Sequence, residues 1–266
     1  MDRQRKHWIE TFAKAGYVAK GLVYILVGGL TAMAALGMGG KKASNSDAFY
    51  QVRDYPGGGL LLGILAVGLV GYCVWRMTQA FYDTEHKGSK AKGIVKRISY
   101  AFIGLLYGSL AFLAFRILSG NGNNAGGGTK EKDLVIGLLD KPFGKYLAIV
   151  IGLITIGNGL YQLYKGVTGS FMKEVRGLPR NQYNFLKKAG QAGYSARGIV
   201  FSIIGFLFVR AAWLQQPEKA GGTVSAFSFL QNSPSGNLLL AVVAIGLIGY
   251  GIFMFVQAKY SDISID

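Results

Sequence analysis

Long runs free of Asp, Glu, Lys and Arg alternate along the chain with shorter polar stretches. A helix that crosses a bilayer needs roughly 20 mostly apolar residues at about 1.5 Å each, and six runs approach that length. They predict spans at about residues 16–38, 58–82, 98–116, 144–165, 192–213 and 237–259. The fifth is the least regular, because Arg197 and Arg210 leave only twelve uncharged residues between them. Their long stems reach toward the headgroup region, so it still counts as a span.

The spans repeat. Tyr17, Gly21, Tyr24 and Gly28 recur as Tyr100, Gly104, Tyr107 and Ala111 at an offset of 83, then as Tyr194, Gly198, Phe201 and Gly205 after a further 94. In the even spans Gly71, Trp75 and Gln79 recur as Gly157, Tyr161 and Lys165, and again as Gly249, Phe253 and Gln257, at offsets of 86 and 92. Pro56, Pro142 and Pro234, with Gly58, Gly144 and Gly236 after them, keep the same spacing. Three tandem hairpins follow, dividing the chain into copies at residues 1–83, 84–168 and 169–266. Each copy enters and leaves on one side, so the copies are parallel. The expected fold is an all-α membrane bundle of six transmembrane helices with approximate threefold arrangement of its hairpins. Because span one has counterparts in spans three and five, it is expected to be retained and not to be a cleaved signal.

On a 3.6-residue helix the recurring positions of the odd spans form one narrow stripe. Helices in lipid associate through small residues that let backbones approach, with larger side chains filling the space beside them. Tyr17, Gly21, Tyr24, Tyr100, Gly104, Tyr107, Tyr194, Gly198 and Phe201 are therefore expected to be helix contacts, joined by Gly71, Gly157 and Gly249 of the even spans. Between the two spans of each hairpin, Asp47, Asp133 and Ser225 are placed to cap a short helix. Apolar residues at helical spacing follow them: Ala48, Phe49 and Val52; Leu134, Val135 and Leu138; Ala226, Phe227 and Leu230. These predict short amphipathic helices lying on or dipping into the outer surface, each ended by its proline. The Asn- and Gly-rich stretch 120–128 predicts a flexible outer loop.

AGYVAKGLVYILVGG at 15–29 and AGYSARGIVFSIIG at 192–205, each followed by a Pro and Gly start to the partner helix, resemble a bacterial membrane family. That family is catalogued only as a domain of unknown function, with a two-helix unit occurring three times per chain. The resemblance covers nearly the whole sequence and implies a bacterial cytoplasmic membrane location. It brings no activity, cofactor or catalytic residue. The middle copy departs from the pattern, with Ile103 where Lys20 and Arg197 stand in the others.

Composition narrows the class further. With 51% apolar and 13% aromatic residues the chain is not disordered, and one cysteine excludes a disulfide scaffold. A net charge of +16 is compatible with nucleic-acid binding, yet fifteen of the 29 Lys and Arg lie in the N-terminal segment, the loops after spans two and four, and the C-terminal end from Lys259 onward. That distribution follows the positive-inside rule: both termini are expected in the cytoplasm, facing anionic lipid heads, with no nucleic-acid partner.

Candidate chemistry is sparse. The two histidines, His7 and His86, lie outside the spans, which excludes bis-histidine haem, and with the lone Cys73 they make no zinc site of ordinary composition. No Asp or Glu lies in any span, so neither a carboxylate proton relay nor an intramembrane aspartyl protease fits. Ser99, Ser109 and Ser202 have no intramembrane histidine to activate them. No enzyme activity, metal or cofactor is expected. What remains is cationic. Arg76, six residues from the inner end of span two, has Gln162 and Met254 as its counterparts. It must snorkel, pair with carbonyls or hold an anion. Lys20, Lys165 and Arg197 read as interface anchors, and Asn158 with Gln162 adds polarity to the middle copy. Two functions stay open. One is a non-enzymatic scaffold, accessory subunit or lipid-interacting component. The other is a channel or carrier for a small anion or neutral solute, which requires Arg76, Asn158 and Gln162 to line one path.

Overall fold

The computed structural model describes residues 3–39, 42–84, 88, 90–121, 136–137, 141, 143–175 and 177–261. Asp133, Leu134, Val135, Leu138, Pro142, His86 and nearly all of the Asn- and Gly-rich stretch lie outside them. The described residues form α1 (Arg3–Ala35), α2 (Asn45–Asp54), α3 (Gly58–Tyr82), α4 (Ala91–Leu118), α5 (Gly144–Thr168), α6 (Arg180–Leu214), α7 (Thr223–Gln231) and α8 (Gly236–Tyr260). Six of these are long and apolar enough to cross a membrane. The protein is an all-α, six-span membrane protein. α1 begins and α8 finishes at the same end of the bundle, called the basal end below.

The extensive seams run between copies. α1 packs along α8, α3 along α4 and α5 along α6, each pair antiparallel. Small residues seven apart make these approaches possible: Gly21 and Gly28 face Gly251 and Ala244, while Gly198 and Gly205 face Gly159 and Gly152. A Cβ added at Gly198 would stand 2.8 Å from the Gly159 carbonyl oxygen, so the helices nearly touch backbone to backbone. In α3 the same position is Cys73, whose carbonyl and thiol lie against Gly104 and Gly108 of α4. Arg97 donates to the carbonyls of Ala80 and Phe81, and Gln191 to that of Val167, serving backbone oxygens at the basal ends of α3 and α5.

Within copies, α1 packs on α3 and α6 on α8, but α4 and α5 share no comparable seam. The residues explain the difference. In the first and third copies the hairpin seam is made by Gly68 against Ala19 and by Gly246 against Ala196, where an added Cβ would lie 2.6 Å from the alanine methyl. The middle copy carries Ile154 and Phe102 at these positions. They do not fit, and they stay 66% and 62% exposed, against 3% and 4% for Ala19 and Ala196. Tyr161 is likewise 56% exposed where Trp75 and Phe253 are buried. The six helices thus form an arc in the order α4, α3, α1, α8, α6, α5, with its gap in the middle copy.

The distal connections correct two expectations. Ser44, not Asp47, is the N-cap of α2; Asp47 is the N3 partner of a capping box, accepting from the Ser44 amide at 2.9 Å. α7 starts at Gly222 without a side-chain cap, and Ser225 lies inside its first turn. Both helices dip into the bundle, burying Phe49 and Phe227 fully, because α2 packs its apolar face on α1, α3 and α4 and α7 packs its own on α6 and α8. The turn into each even span needs a left-handed residue, supplied by Gly57, Phe143 and Ser235. A side chain there costs roughly 1–2 kcal/mol, so Ser235→Gly is expected to raise stability by about 0.5–1 kcal/mol after the added freedom of the unfolded glycine, measured by thermal denaturation in detergent.

Candidate functional site

The odd spans begin earlier than their apolar runs indicate. Lys20 and Arg197 each lie seventeen residues inside their helices, level with Tyr72 and Tyr250. Those tyrosines stand ten residues from the basal ends of α3 and α8, about 15 Å along the axis. Their stems point into the bundle among the tyrosines of neighbouring helices, with glycine seams on either side.

Lys20 is 6% exposed, and its ammonium group lies over rings from all three copies: Tyr72 of α3 at 5.1 Å, Tyr107 of α4 at 5.5 Å and Tyr250 of α8 at 5.4 Å. It donates to the Tyr72 hydroxyl at 3.2 Å. The Arg197 guanidinium lies over Tyr250 at 4.3 Å, Tyr24 at 5.0 Å and Phe201 at 5.3 Å, and its Nε is buried without a hydrogen-bond partner among the described residues. Arg76 is half-buried. Its Nε and Nη2 donate to the Tyr72 hydroxyl at 2.9 and 2.6 Å, its Nη1 donates to Gln79 Oε1 at 2.8 Å, and its ring contacts are Tyr72 and Tyr100. Lys165 lies nearer the basal end, over Tyr161 and Tyr194.

The electrostatics follow from these contacts. Two cations share one phenol oxygen, which takes three donors although it has two lone pairs. Their nitrogens lie within about 6 Å of each other, close enough for strong repulsion away from water. Ring faces recover part of the lost hydration, at about 2 kcal/mol for a well-buried contact, but they do not neutralise charge. In the six long helices the only acidic residue is Glu10 of α1, which pairs with Lys14 at 2.6 Å. The centre thus gathers the positive groups of Lys20, Arg76 and Arg197 among phenol and ring acceptors.

The other expected site residues divide between roles. Tyr17 meets Tyr72 edge to face at 5.7 Å, and Tyr24 meets Tyr250 at 4.8 Å, so the tyrosine half of the stripe lines the cationic centre instead of only filling space beside glycines. Tyr194 stacks at 4.8 Å on Phe171, a buried ring from the short turn after α5 that no repeat pattern signals. Gly71 and Gly249 face the backbones of Phe12 and Ala189 in the hairpin seams. Gly157 has nothing within 4 Å and is not a contact, because its hairpin is the open one; Gly159, two positions on, holds the α5–α6 seam. Arg76 has its hydrogen bonds with Tyr72 and Gln79, and Gln162 has its own with Asn158. Gln162 is buried and donates to Asn158 at 3.3 Å on the exposed face of α5, with its own Oε1 unpartnered, while Arg76 belongs to the α3–α4 side. Tyr72 and Tyr250 were missed because they follow the aligned glycines by one residue and the middle copy has Asn158 there. An apolar groove of about 660 Å³ on the lipid side of α1 and α3, bordered by Val18, Leu60 and Ile64, contains none of these residues.

Six apolar helices in three copies around a tyrosine-lined cationic centre define a multi-pass α-helical membrane protein. A family model described as Domain of Unknown Function (DUF1206) matches three times, at residues 15–83, 98–169 and 192–261, and the chain belongs to that family. It is 36% identical to the uncharacterized protein YxxB of Bacillus subtilis (strain 168), with 99% of this chain and 95% of that protein covered. No solved structure matches. Each matched segment holds one hairpin, so the closest helix seams join units instead of lying within them.

Proposed function

We propose that this is a non-enzymatic protein of the bacterial cytoplasmic membrane that holds an anionic group at the tyrosine-lined centre. The observation that carries the reading is the clustering of Lys20, Arg76 and Arg197 over tyrosine rings, at a depth where burying charge costs several kcal/mol. A purely mute scaffold would not need that expense, and the middle copy already places an isoleucine, Ile103, at one of the three equivalent positions. The basic loops at the basal end support placing both termini in the cytoplasm, so the centre faces that side through Lys165 and Arg76. The groups that converge are cations and phenols, which suit binding and offer no nucleophile with a base.

Calorimetric titration of the purified protein with phosphate, sulfate and chloride tests this. Binding of at least one of them is expected, and its loss in Lys20→Met with Arg197→Met; equal heats from native and variant would sink the reading. A channel along the axis has less support. Phe49 and Phe227 of the distal helices are fully buried in the core, and Arg76 bonds to Tyr72 while Gln162 bonds to Asn158. Vesicles holding the native chain or Arg76→Ala are expected to show the same background anion flux.

A further inference from the structure

We propose that the uncovered hairpin face of α5 docks a second copy of this chain, α5 against α5, joined in mid-membrane by a reciprocal hydrogen-bonded pair of Asn158 carboxamides. In α3 and α8 the hairpin face is occupied: Gly68, Tyr72 and Trp75, like Gly246, Tyr250 and Phe253, are buried. The corresponding residues of α5 are Ile154, Asn158 and Tyr161, and all three are exposed. Asn158 stands fourteen residues from the distal start of α5 and ten from its basal end, roughly 21 and 15 Å. At that depth hydrocarbon offers no hydrogen-bond partner. Ser109 and Thr155, two other polar residues of the open copy, return their hydroxyls to carbonyls of their own helices, those of Leu106 and Ile151. The Asn158 carboxamide is not satisfied in that way. Its Oδ1 accepts from Gln162 Nε2 at 3.3 Å, and its Nδ2 has no partner among the described residues.

Depth and symmetry choose the occupant. Two copies inserted in the same direction are related by a twofold axis along the membrane normal, so each residue of a shared helix meets its own counterpart at its own level. Beside the Gln162 bond each Asn158 keeps one acceptor lone pair and two N–H donors, enough for two carboxamides to satisfy one another. An α4 from the second copy would present Phe102 again, the side chain that already fails to fit within one chain. An acyl chain has nothing to donate or accept. Leu147, Ile151, Ile154, Asn158 and Tyr161 follow one another at intervals of four and three, the seam of a parallel helix pair. A single Asn in such an apolar seam sets the register and holds the number of strands at two. Lys165, next in the series, lies over Tyr161 and Tyr194 of its own chain, three residues from the basal end of α5. This docking does not depend on what the cationic centre holds.

The test uses the full chain with Cys73→Ala in lipid vesicles, carrying one new cysteine on α5 and treated with a mild oxidant. A disulfide needs Cα atoms within about 7 Å of each other. Ile154→Cys and Tyr161→Cys, on the seam, are expected to give covalent dimers, and Leu160→Cys, on another face of the same helix, about tenfold less. Energy transfer between copies carrying donor and acceptor dyes at their C-termini then measures association with α5 otherwise unchanged. Asn158→Leu is expected to weaken it about tenfold through loss of the reciprocal pair, while Asn158→Gln stays within about threefold of the native chain. Monomers at the highest protein-to-lipid ratio, disulfides as strong at Leu160→Cys as at Ile154→Cys, or Asn158→Leu associating like the native chain would each overturn the proposal. So would a different protein cross-linking to this face while the chain itself stays monomeric. The disulfide map is read with Asn158 in place, so it decides the matter even if an Asn158 variant fails to fold.

Discussion

Replacing Gly159 by leucine is expected to cost the folded bundle about 3 kcal/mol or more, whereas the same change at Gly157, two residues away, is expected to be neutral or to gain up to about 1 kcal/mol. A Cβ at Gly159 would lie 2.7 Å from the Ser202 amide nitrogen and 2.8 Å from the Gly198 carbonyl oxygen. Both are backbone atoms of a helix that cannot yield like a side chain, so α5 and α6 must separate along the seam set by Gly152, Gly159 and Gly166. That seam is the main tie of α5 to the bundle, since α4 offers it nothing comparable. Gly157 meets open space, and leucine there adds helix propensity and a lipid-facing side chain. Thermal denaturation in one detergent compares the two variants. Equal destabilisation would mean that a helix packs against Gly157 and that α4 and α5 form a seam of their own.

Arg197→Met is expected to make the anion-free protein more stable, by about 1–4 kcal/mol, and to abolish stabilisation by added anion. The native side chain buries an unpartnered Nε and faces the same Tyr250 ring as Lys20, so two like charges share one aromatic neighbour. Methionine keeps a flexible apolar filler over Tyr24 and Tyr250 and removes both the desolvation cost and the repulsion. Ring contacts work against the gain, but three of them do not replace a counter-ion. With ligand the order reverses: an anion at a hundred times its dissociation constant adds about 2.7 kcal/mol to the native chain and nothing to the variant. Melting curves with and without phosphate measure both effects. A variant less stable than the native chain in anion-free buffer would mean that the cation has a structural role, and the case for an anion site would weaken.

Much of the site was visible as residue types without being visible as a site. The repeat aligned Lys20 with Arg197, and Tyr17, Tyr24 and Tyr107 with their counterparts, because a repeated packing environment imposes repeated residues. Helix starts were not legible, since apolar runs mark where charge is absent and not where a helix begins; α1 and α6 start at Arg3 and Arg180, seventeen residues before Lys20 and Arg197. Gly157 was misjudged for a related reason. A glycine in register with Gly71 and Gly249 has the same backbone, but its value depends on whether a partner helix arrives, and Phe102 on another helix decides that.

The hydrophobic pattern and its period by themselves determined six spans, three parallel hairpins, the short distal helices with Phe49 and Phe227, and an interior without carboxylates, because bilayer thickness and helical geometry act locally along one chain. Which helices touch was decided only in three dimensions. The closest seams join one copy to the next, the middle hairpin stays open, and rings from three copies gather over one ammonium group. Each of these depends on side-chain volumes meeting across residues far apart in the chain, a comparison that no local pattern contains.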